Sequence, residues 1–186
     1  MSKNFEKLKN ARAQKISKTL NKKCLLFNST KLEEEMISRI DKIRKHKNLL
    51  FIDIDGTIVN FRSFKSIKIV PRPHLETFLR RMKKHFDIVL YSRAERDHVE
   101  FIRQRFCSKH VKLAFSQEFT SMKSKLSPRF VEKDYQVFFV DDNPSSIQKS
   151  DLNKLVRIKQ WTSDHKKDRE LIRIADKLLS QLKISK

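Results

Sequence analysis

The sequence predicts an α/β fold, an open parallel sheet with helices on both faces. Three observations lead to this class. Apolar runs of strand length alternate with amphipathic helical patterns after residue 49, several of these runs end in polar residues, and a length of 186 residues fits one globular domain with an extension. Hydrophobic residues make up 38% of the chain and include 14 phenylalanines, so we expect a modest core built from bulky side chains.

Residues 1–48 are predicted to form a basic helical N-terminal extension. Residues 3–18 show a Lys-rich helical pattern with a thin apolar stripe. A second helix is predicted over 31–46, because Thr30 and Glu33 match a capping box and apolar residues recur at helical spacing after it. The first helix either binds anionic membrane or nucleic acid or presents a solvated charged face, and the sequence leaves both interpretations open.

Residues 49–186 alternate between strand and helix patterns and are predicted to form the globular domain. The predicted strands cover 49–52, 87–91, 111–115, 136–140 and 155–158. The predicted helices are one that begins at Pro73, one over 94–106 and one over roughly 166–182. This alternation is typical of a parallel sheet, whose functional residues lie at the carboxyl ends of its strands.

Composition and charge exclude several classes of protein. The chain has 43 lysine and arginine residues against 22 aspartate and glutamate residues, a formal net charge of +21 that favours acidic partners. Gly56 is its only glycine, whereas the P-loop and the dinucleotide-binding fingerprint each need at least two. The sequence has neither an apolar run long enough to cross a membrane nor a secretory signal, so a cytoplasmic protein is expected.

Polar residues follow three of the predicted strands at the point where each strand ends. Asp53 and Asp55 come after the first strand, Ser92 after the second, and Asp141 begins an Asp-Asp-Asn sequence after the fourth. The carboxyl ends of parallel strands meet in one crevice, so these side chains should converge. Two carboxylates two residues apart suit a nucleophile paired with an acid/base, and Asp141 adds a hard oxygen ligand for Mg²⁺.

The sequence Asp-Ile-Asp-Gly-Thr-Ile at 53–58, directly after an apolar strand, resembles the signature of the haloacid dehalogenase (HAD) superfamily of phosphotransferases. The stretches 71–79 and 88–92 resemble the FCP/SCP-like protein phosphatases within it, through an Arg-Pro-His sequence and a strand that ends in a hydroxyl residue. The resemblance covers about residues 48–160. It implies a Rossmann-like HAD fold and a Mg²⁺-dependent phosphatase.

The resemblance implies a catalytic and metal-binding role for three aspartates. Asp53 would be the nucleophile that forms an aspartyl-phosphate, and Asp55 would protonate the leaving oxygen and then activate water. Asp53, the backbone carbonyl of Asp55 and the carboxylate of Asp141 would hold Mg²⁺.

Three further residues acquire a role in binding the phosphoryl group. Ser92 would hydrogen-bond the phosphoryl oxygens, with help from Thr57. A lysine would neutralise the phosphoryl charge as both a catalytic and a substrate-binding residue. Lys125 is preferred for this role over Lys123, because its separation from Asp141 fits the FCP/SCP-like spacing better.

The spacing of the motifs also bears on the substrate. The segments that separate Thr57, Ser92 and Lys125 are too short for a folded cap domain. The chain therefore resembles the capless HAD enzymes, and this resemblance implies a macromolecular substrate. The FCP/SCP-like group has inserted strands between its first two motifs. We expect these strands to be missing here, between the first motif (53–58) and the second (88–92). We therefore predict a phosphorylated protein substrate, with phosphotyrosine slightly favoured over phosphoserine and phosphothreonine. Likeness to capless phosphotyrosine phosphatases also suggests a bacterial effector secreted into a host cell.

Two other functions remain open on the sequence. A polynucleotide end phosphatase would use the charge of +21 to steer its substrate. A non-catalytic HAD-fold scaffold would use the same charge to bind anionic membrane or nucleic acid. Arg93, Arg96 and His98 either grip a phosphorylated partner or belong to a solvated helix start. A cysteine-based phosphatase is excluded, because neither Cys24 nor Cys107 has an arginine six positions later.

Overall fold

A computed structural model describes residues 30–62, 68–120, 125, 131–132, 134–162 and 167–184. The chain divides into two compact units, Met1–Ser38 and Arg39–Lys186. In the first unit, the described residues 30–38 are helical. The predicted Lys-rich helix over 3–18 lies outside the described residues.

The alternating strands and helices predicted after residue 49 lie in the second unit, and helix α1 (30–41) begins in the first unit and ends in the second. In chain order, the elements are α1 (30–41), β1 (Asn48–Ile52), β2 (Val59–Arg62), β3 (Lys68–Pro71), α2 (Leu75–Met82), β4 (Asp87–Tyr91), α3 (Arg96–Ile102), β5 (Leu113–Phe115), β6 (Gln136–Asp141), β7 (Leu155–Arg157) and α4 (Glu170–Ile184). Among these helices, none combines the length and the apolar character that a membrane span requires.

The main sheet has five strands in the order β5-β4-β1-β6-β7, and every neighbouring pair is parallel. The open parallel sheet predicted from the sequence is therefore confirmed. Strand β1 lies at its centre, between β4 and β6, and four of its five residues are buried. A strand covered on both faces needs apolar side chains on both, and its Leu-Leu-Phe-Ile run supplies them.

Successive residues of β1 supply the two faces of the sheet. Leu50 and Ile52 belong to a buried cluster that includes the inward-facing residues of α2, α3 and α4. On the opposite face, Phe51 stacks on Phe139 with ring centroids 5.3 Å apart and contacts Tyr91 at 5.5 Å. The guanidinium of Arg39, near the end of α1, lies 5.2 Å from the ring centroid of Phe119.

Helix α1 ends at residue 41, five residues before its predicted end. The cause is a contact made far away in the sequence. Asp87, at the start of β4, accepts hydrogen bonds from the backbone N–H groups of Lys45 (2.9 and 3.1 Å) and His46 (3.0 Å). These bonds hold the chain outside the helix as it approaches β1, so tertiary contacts override the local helical pattern.

The expectation that no inserted strands lie between the first two motifs is wrong. Strands β2 and β3 pair antiparallel there, with Val59 opposite Pro71 and Arg62 opposite Lys68. The hairpin has only four residues in each strand. It is much smaller than a folded cap domain, and the capless architecture expected from the spacing is confirmed.

Candidate active site

The site lies in a cleft at the carboxyl ends of β1, β4, β6 and β7. Asp53 continues the direction of β1, because its backbone N–H donates to the carbonyl of Val140 at 2.9 Å. The cleft has a volume of about 950 Å³. Its described lining residues are Asp53, Asp55, Arg93, Asp141, Asp142, Asn143, Pro144, Ser146, Arg157, Ile158, Lys159, Gln160 and Thr162.

Lys125 connects the ends of the two central strands. Its Nζ donates to Asp53 Oδ1 and to Asp141 Oδ2, each at 2.7 Å. The lysine side chain is 2% exposed. Burial by itself would lower the pKa of Lys125, but the charges of Asp53 and Asp141 raise it above its ordinary value. Lys125 is therefore a fixed, buried cation that compensates Asp53 and Asp141, two carboxylates that line the cleft.

Asp141 is held in one orientation by bonds to both of its carboxylate oxygens. The hydroxyl of Ser146 donates to Oδ2 at 2.6 Å, and the backbone N–H of Asn143 donates to Oδ1 at 2.8 Å. Together with Lys125, these donors leave little freedom for a side chain that is 2% exposed. The loop after β6 therefore fixes the carboxylate before any ligand binds.

Three carboxylates form a group that fits a divalent cation. One oxygen from each of Asp53, Asp141 and Asp142 lies within 4.8 Å of the other two. Hard carboxylate oxygens are ligands that Mg²⁺ prefers. Burial raises the pKa of Asp53 to about 7, and the charge of Asp141 acts in the same direction against that of Lys125. Burial likewise raises the pKa of Asp142. Crowded carboxylates of this kind are stabilised by a cation.

The backbone of the turn after β1 lies close to these three carboxylates. Gly56 has a φ of 78°, and its N–H donates to the carbonyl of Val59 at 2.9 Å. A Cβ at this position would lie 3.0 Å from Asp142 Oδ2, so a side chain here would both strain the backbone and displace the Asp142 carboxylate. The hydroxyl of Thr57 donates to Asp142 Oδ1 at 3.0 Å. Thr57, predicted to bind the phosphoryl group, thus contacts a carboxylate of the candidate metal site.

Arg72 stabilises the same turn through a hydrogen bond to its backbone. Its guanidinium donates to the carbonyl of Thr57 at 3.0 Å and to both oxygens of Asp168 at 2.8 and 3.1 Å. The side chain of Arg72 is 1% exposed and that of Asp168 is 11% exposed. This bidentate pair fixes the segment before α4 against the turn that carries the first motif.

Asp55 lies apart from the three clustered carboxylates. Its Oδ1 is 3.0 Å from Nε2 of His98, a residue of α3, and its side chain is 38% exposed. An exposed carboxylate at the rim of the cleft can meet the leaving oxygen of a substrate. The predicted contribution of Asp55 to a metal site is through its backbone carbonyl, so the position of its side chain is consistent with an acid/base role.

Ser92 follows β4 and is 3% exposed. Its backbone N–H donates to the carbonyl of Phe115 at 3.0 Å, and its Oγ accepts from the backbone N–H of Ala94 at 3.2 Å. Among the described residues, the Ser92 hydroxyl donates to no acceptor. Lys123, the alternative to Lys125, lies outside the described residues.

Sequence reasoning gives no role to Ser146, uses Arg72 only as part of the Arg-Pro-His resemblance, and leaves His98 as either a phosphate-binding or a surface residue. In the structure, Ser146 and Arg72 contact residues of the motifs, and His98 contacts Asp55. The sequence position of Ser146 could have indicated its contact, because a serine five residues after the aspartate that ends a strand can hydrogen-bond that aspartate. Arg72 lies 96 residues from Asp168, and no local pattern predicts that contact.

Comparisons with known proteins identify the family and the fold of this chain. The family model of NLI interacting factor-like phosphatases matches residues 48–186. A solved structure of the fission yeast RNA polymerase II CTD phosphatase Fcp1 bound to beryllium fluoride is 18% identical, has a TM-score of 0.50, and matches over 83% of this chain and 55% of its own. No curated protein sequence matches this chain significantly.

A second structure of Fcp1, described as an essential RNA polymerase II CTD phosphatase, is 16% identical with a TM-score of 0.50, over 81% of this chain and 54% of its own. The chain thus spans about half the length of the solved chains that it matches. At this identity the two structures establish the fold alone. The family match extends from β1 to the C-terminus and includes every candidate residue named above. The chain belongs to the NLI interacting factor-like phosphatases, a capless HAD family of phosphoric monoester hydrolases.

Proposed function

We propose that this chain is a Mg²⁺-dependent protein phosphatase that works through an aspartyl-phosphate on Asp53. The observation that carries the proposal is the buried Lys125, which bridges Asp53 and Asp141 beside a third carboxylate. A fold that served only as a scaffold would gain nothing from burying these charges, because charges taken out of water are costly. Asp53, Asp141 and Asp142 would hold Mg²⁺. The bound cation would keep Asp53 ionised and neutralise charge on the phosphoryl group.

In the first step, a carboxylate oxygen of Asp53 attacks phosphorus as the bond to the substrate oxygen breaks. Lys125 donates to Oδ1, and we assign the attack to Oδ2, which accepts no hydrogen bond within the described part of the chain. The departing oxygen takes a proton from Asp55, whose exposed carboxyl stands at the rim of the cleft. In the second step, water attacks the phosphorus of the aspartyl-phosphate and gives its proton to Asp55, and inorganic phosphate and the Asp53 carboxylate are released.

The proposed substrate is a phosphorylated side chain of a protein. The phosphotyrosine preference predicted from the sequence depended on an absence of strands between the first two motifs, and the β2–β3 hairpin occupies that position. We therefore keep phosphotyrosine as one arm of the test beside phosphoserine and phosphothreonine. The predicted effector role and the predicted weak binding to anionic membrane or nucleic acid stay predictions, the second testable by salt-dependent flotation with anionic vesicles.

The experiment measures phosphate release from phosphotyrosine, phosphoserine and phosphothreonine peptides and from 5′- and 3′-phosphorylated oligonucleotides, in Mg²⁺ or in EDTA. We expect release from peptides in Mg²⁺ only, abolished by Asp53→Asn. Asp176→Asn is the matched control, since Asp176 makes an exposed ion pair with Arg81 outside the cleft. A preference for oligonucleotides would replace the substrate class, and no release from any substrate would contradict the enzymatic role.

A further inference from the structure

The cleft contains three cations that the phosphoryl-transfer residues leave unused. Arg93 follows β4, Arg157 ends β7, and Lys159 comes two residues later; all three are exposed and line the same cleft as Asp53. From this juxtaposition we infer that Arg93, Arg157 and Lys159 form a second anion subsite, which recognises a phosphopeptide with another negative group close to the phosphorylated residue. The inference rests on the proposed protein phosphatase function and specifies its substrate class.

The position of this subsite is fixed by the sheet. Arg157 pairs with Asp141 in the register of β6 and β7, and neighbouring strands lie about 5 Å apart. The N–H of Ile158 donates to the carbonyl of Asp141 at 3.2 Å, and Ile158 is buried. Arg157 and Lys159 therefore flank an anchored residue and, two positions apart in extended chain, point to the same side.

The segment from Arg157 to Trp161 forms one wall of the cleft, the β7 wall. A second hydrogen bond joins this wall to the first motif. The N–H of Trp161 donates to the carbonyl of Gly56 at 2.8 Å. The segment from Arg157 to Trp161 is thus attached at one end to the strand of Asp141 and at the other to the turn beside Asp53. A group bound by Arg157 or Lys159 would lie at a set distance from the attacked phosphorus.

The acidic residues of the cleft do not need these cations as partners. Asp53 and Asp141 are paired with Lys125, Asp55 contacts His98, and Asp142 accepts from Thr57. Within the part of the chain that the structure describes, no carboxylate lies within 4.0 Å of the charged groups of Arg93, Arg157 or Lys159.

The nearest acidic side chain on the adjoining helix is also engaged. Glu170 accepts from the guanidinium of Arg173 at 2.7 and 3.0 Å, and it meets only the backbone N–H of Lys159, at 3.4 Å. Among the described residues Lys159 makes no ion pair, and it lines the cleft. Three lining cations that have no ion-pair partner within the described part of the chain suit a substrate that carries more than one negative group.

The lining of the cleft favours a peptide over a nucleic acid. No described lining residue is aromatic, whereas single-stranded nucleic acids are bound by stacking their bases on aromatic side chains. Trp161 is only 3% exposed, so its ring offers no stacking surface. Strand β7 lies two strand spacings, about 10 Å, from β1, and three residues of an extended peptide span about 10 Å. The second negative group is accordingly an acidic or phosphorylated side chain one to three residues from the phosphorylated one.

The test compares phosphopeptides that differ only at those flanking positions, which carry alanine, glutamate or a second phosphorylated residue. The value measured is the ratio of kcat/KM for each charged peptide to that for the alanine peptide, in Mg²⁺. We expect a ratio of about 10 for the wild type, mostly through KM, that falls as salt rises. In the variant Arg157→Gln/Lys159→Gln, the ratio should fall to about 1.

The control variant Arg105→Gln/Lys109→Gln removes the same two types of charge from exposed positions outside the cleft. Its ratio should equal that of the wild type, which separates a local subsite from the effect of net charge. The inference is overturned if the wild type has a ratio near 1, if the cleft variant keeps the wild-type ratio, or if both variants lose it equally. Release from 5′-phosphorylated oligonucleotides but from no peptide would overturn both this inference and the proposed function, whereas equal rates on all peptides would overturn this inference alone.

Discussion

Replacement of Lys125 by methionine removes the cation between two recessed carboxylates and keeps most of the side-chain volume. The Nζ of Lys125 lies 2.7 Å from both Asp53 and Asp141, whose side chains are 13% and 2% exposed. Removing one partner of a buried pair costs about 3–5 kcal/mol, because the remaining charge has no compensation. Burial raises the pKa of Asp53 to about 7 against the charge of Lys125, so without that lysine the Asp53 carboxyl can take up a proton, and we expect a loss near the lower limit, about 3 kcal/mol.

The assay is urea unfolding followed by the fluorescence of Trp161, with EDTA present to exclude divalent cations. With a slope of about 2 kcal/mol/M, the midpoint of Lys125→Met should fall by about 1.5 M. Lys84→Met, at an exposed position, should stay within about 0.5 kcal/mol of the wild type. In the double variant Asp53→Asn/Lys125→Met, part of the stability should return, because the buried group at position 53 no longer has to be protonated on folding. A loss below about 1 kcal/mol in the single variant would refute the buried ion-pair account.

Three further predictions concern residues around the site and on α3. Gly56→Ala forces a side chain into a left-handed turn, at about 1–2 kcal/mol, and displaces Asp142, so the concentration of Mg²⁺ needed for half-maximal activity should rise. Arg72→Lys should destabilise the protein almost as much as Arg72→Met, because lysine cannot reproduce the bidentate bond to Asp168; urea midpoints measure both. A hydrogen bond from the neighbouring arginine lowers the pKa of Glu100 to about 2. The stabilisation from Glu100 is therefore full above its ordinary pKa of 4.5 and disappears as the pH falls through 2, so Glu100→Gln should be less stable than wild type at pH 7 and equal to it near pH 2.

Each of these predictions has an outcome that contradicts it. An unchanged Mg²⁺ requirement in Gly56→Ala would show that Asp142 is not part of the cation site. Full stability in Arg72→Lys would show that one point charge suffices there. A difference between Glu100→Gln and wild type that persists unchanged at pH 2 would assign the effect to something other than ionisation.

The strands of the main sheet were predictable because each is a short apolar run that ends in polar residues. β4 and β6 begin where the pattern predicts, and β1 begins one residue early. The meeting of Asp53 and Asp141 also follows from the sequence, since parallel strands bring their carboxyl ends together. Lys125 lies outside any strand or helix, and only a family resemblance could select it.

What the sequence could not predict depends on contacts between distant residues. The end of α1 is determined by hydrogen bonds to Asp87, more than 40 residues beyond it, and local helix propensity does not predict such bonds. The strands of the β2–β3 hairpin have only four residues each, too few for a clear alternating pattern. The pairing of Arg72 with Asp168 likewise joins residues that no periodicity connects.

The most direct test of the account is to trap the covalent intermediate. The wild-type protein is mixed with a substrate labelled on its phosphoryl group, quenched in acid during turnover, and treated with borohydride, which reduces an aspartyl-phosphate to homoserine. The account predicts label on the protein, homoserine at position 53, and neither in Asp53→Asn. Turnover without label on the protein, or homoserine at Asp55 instead, would contradict it.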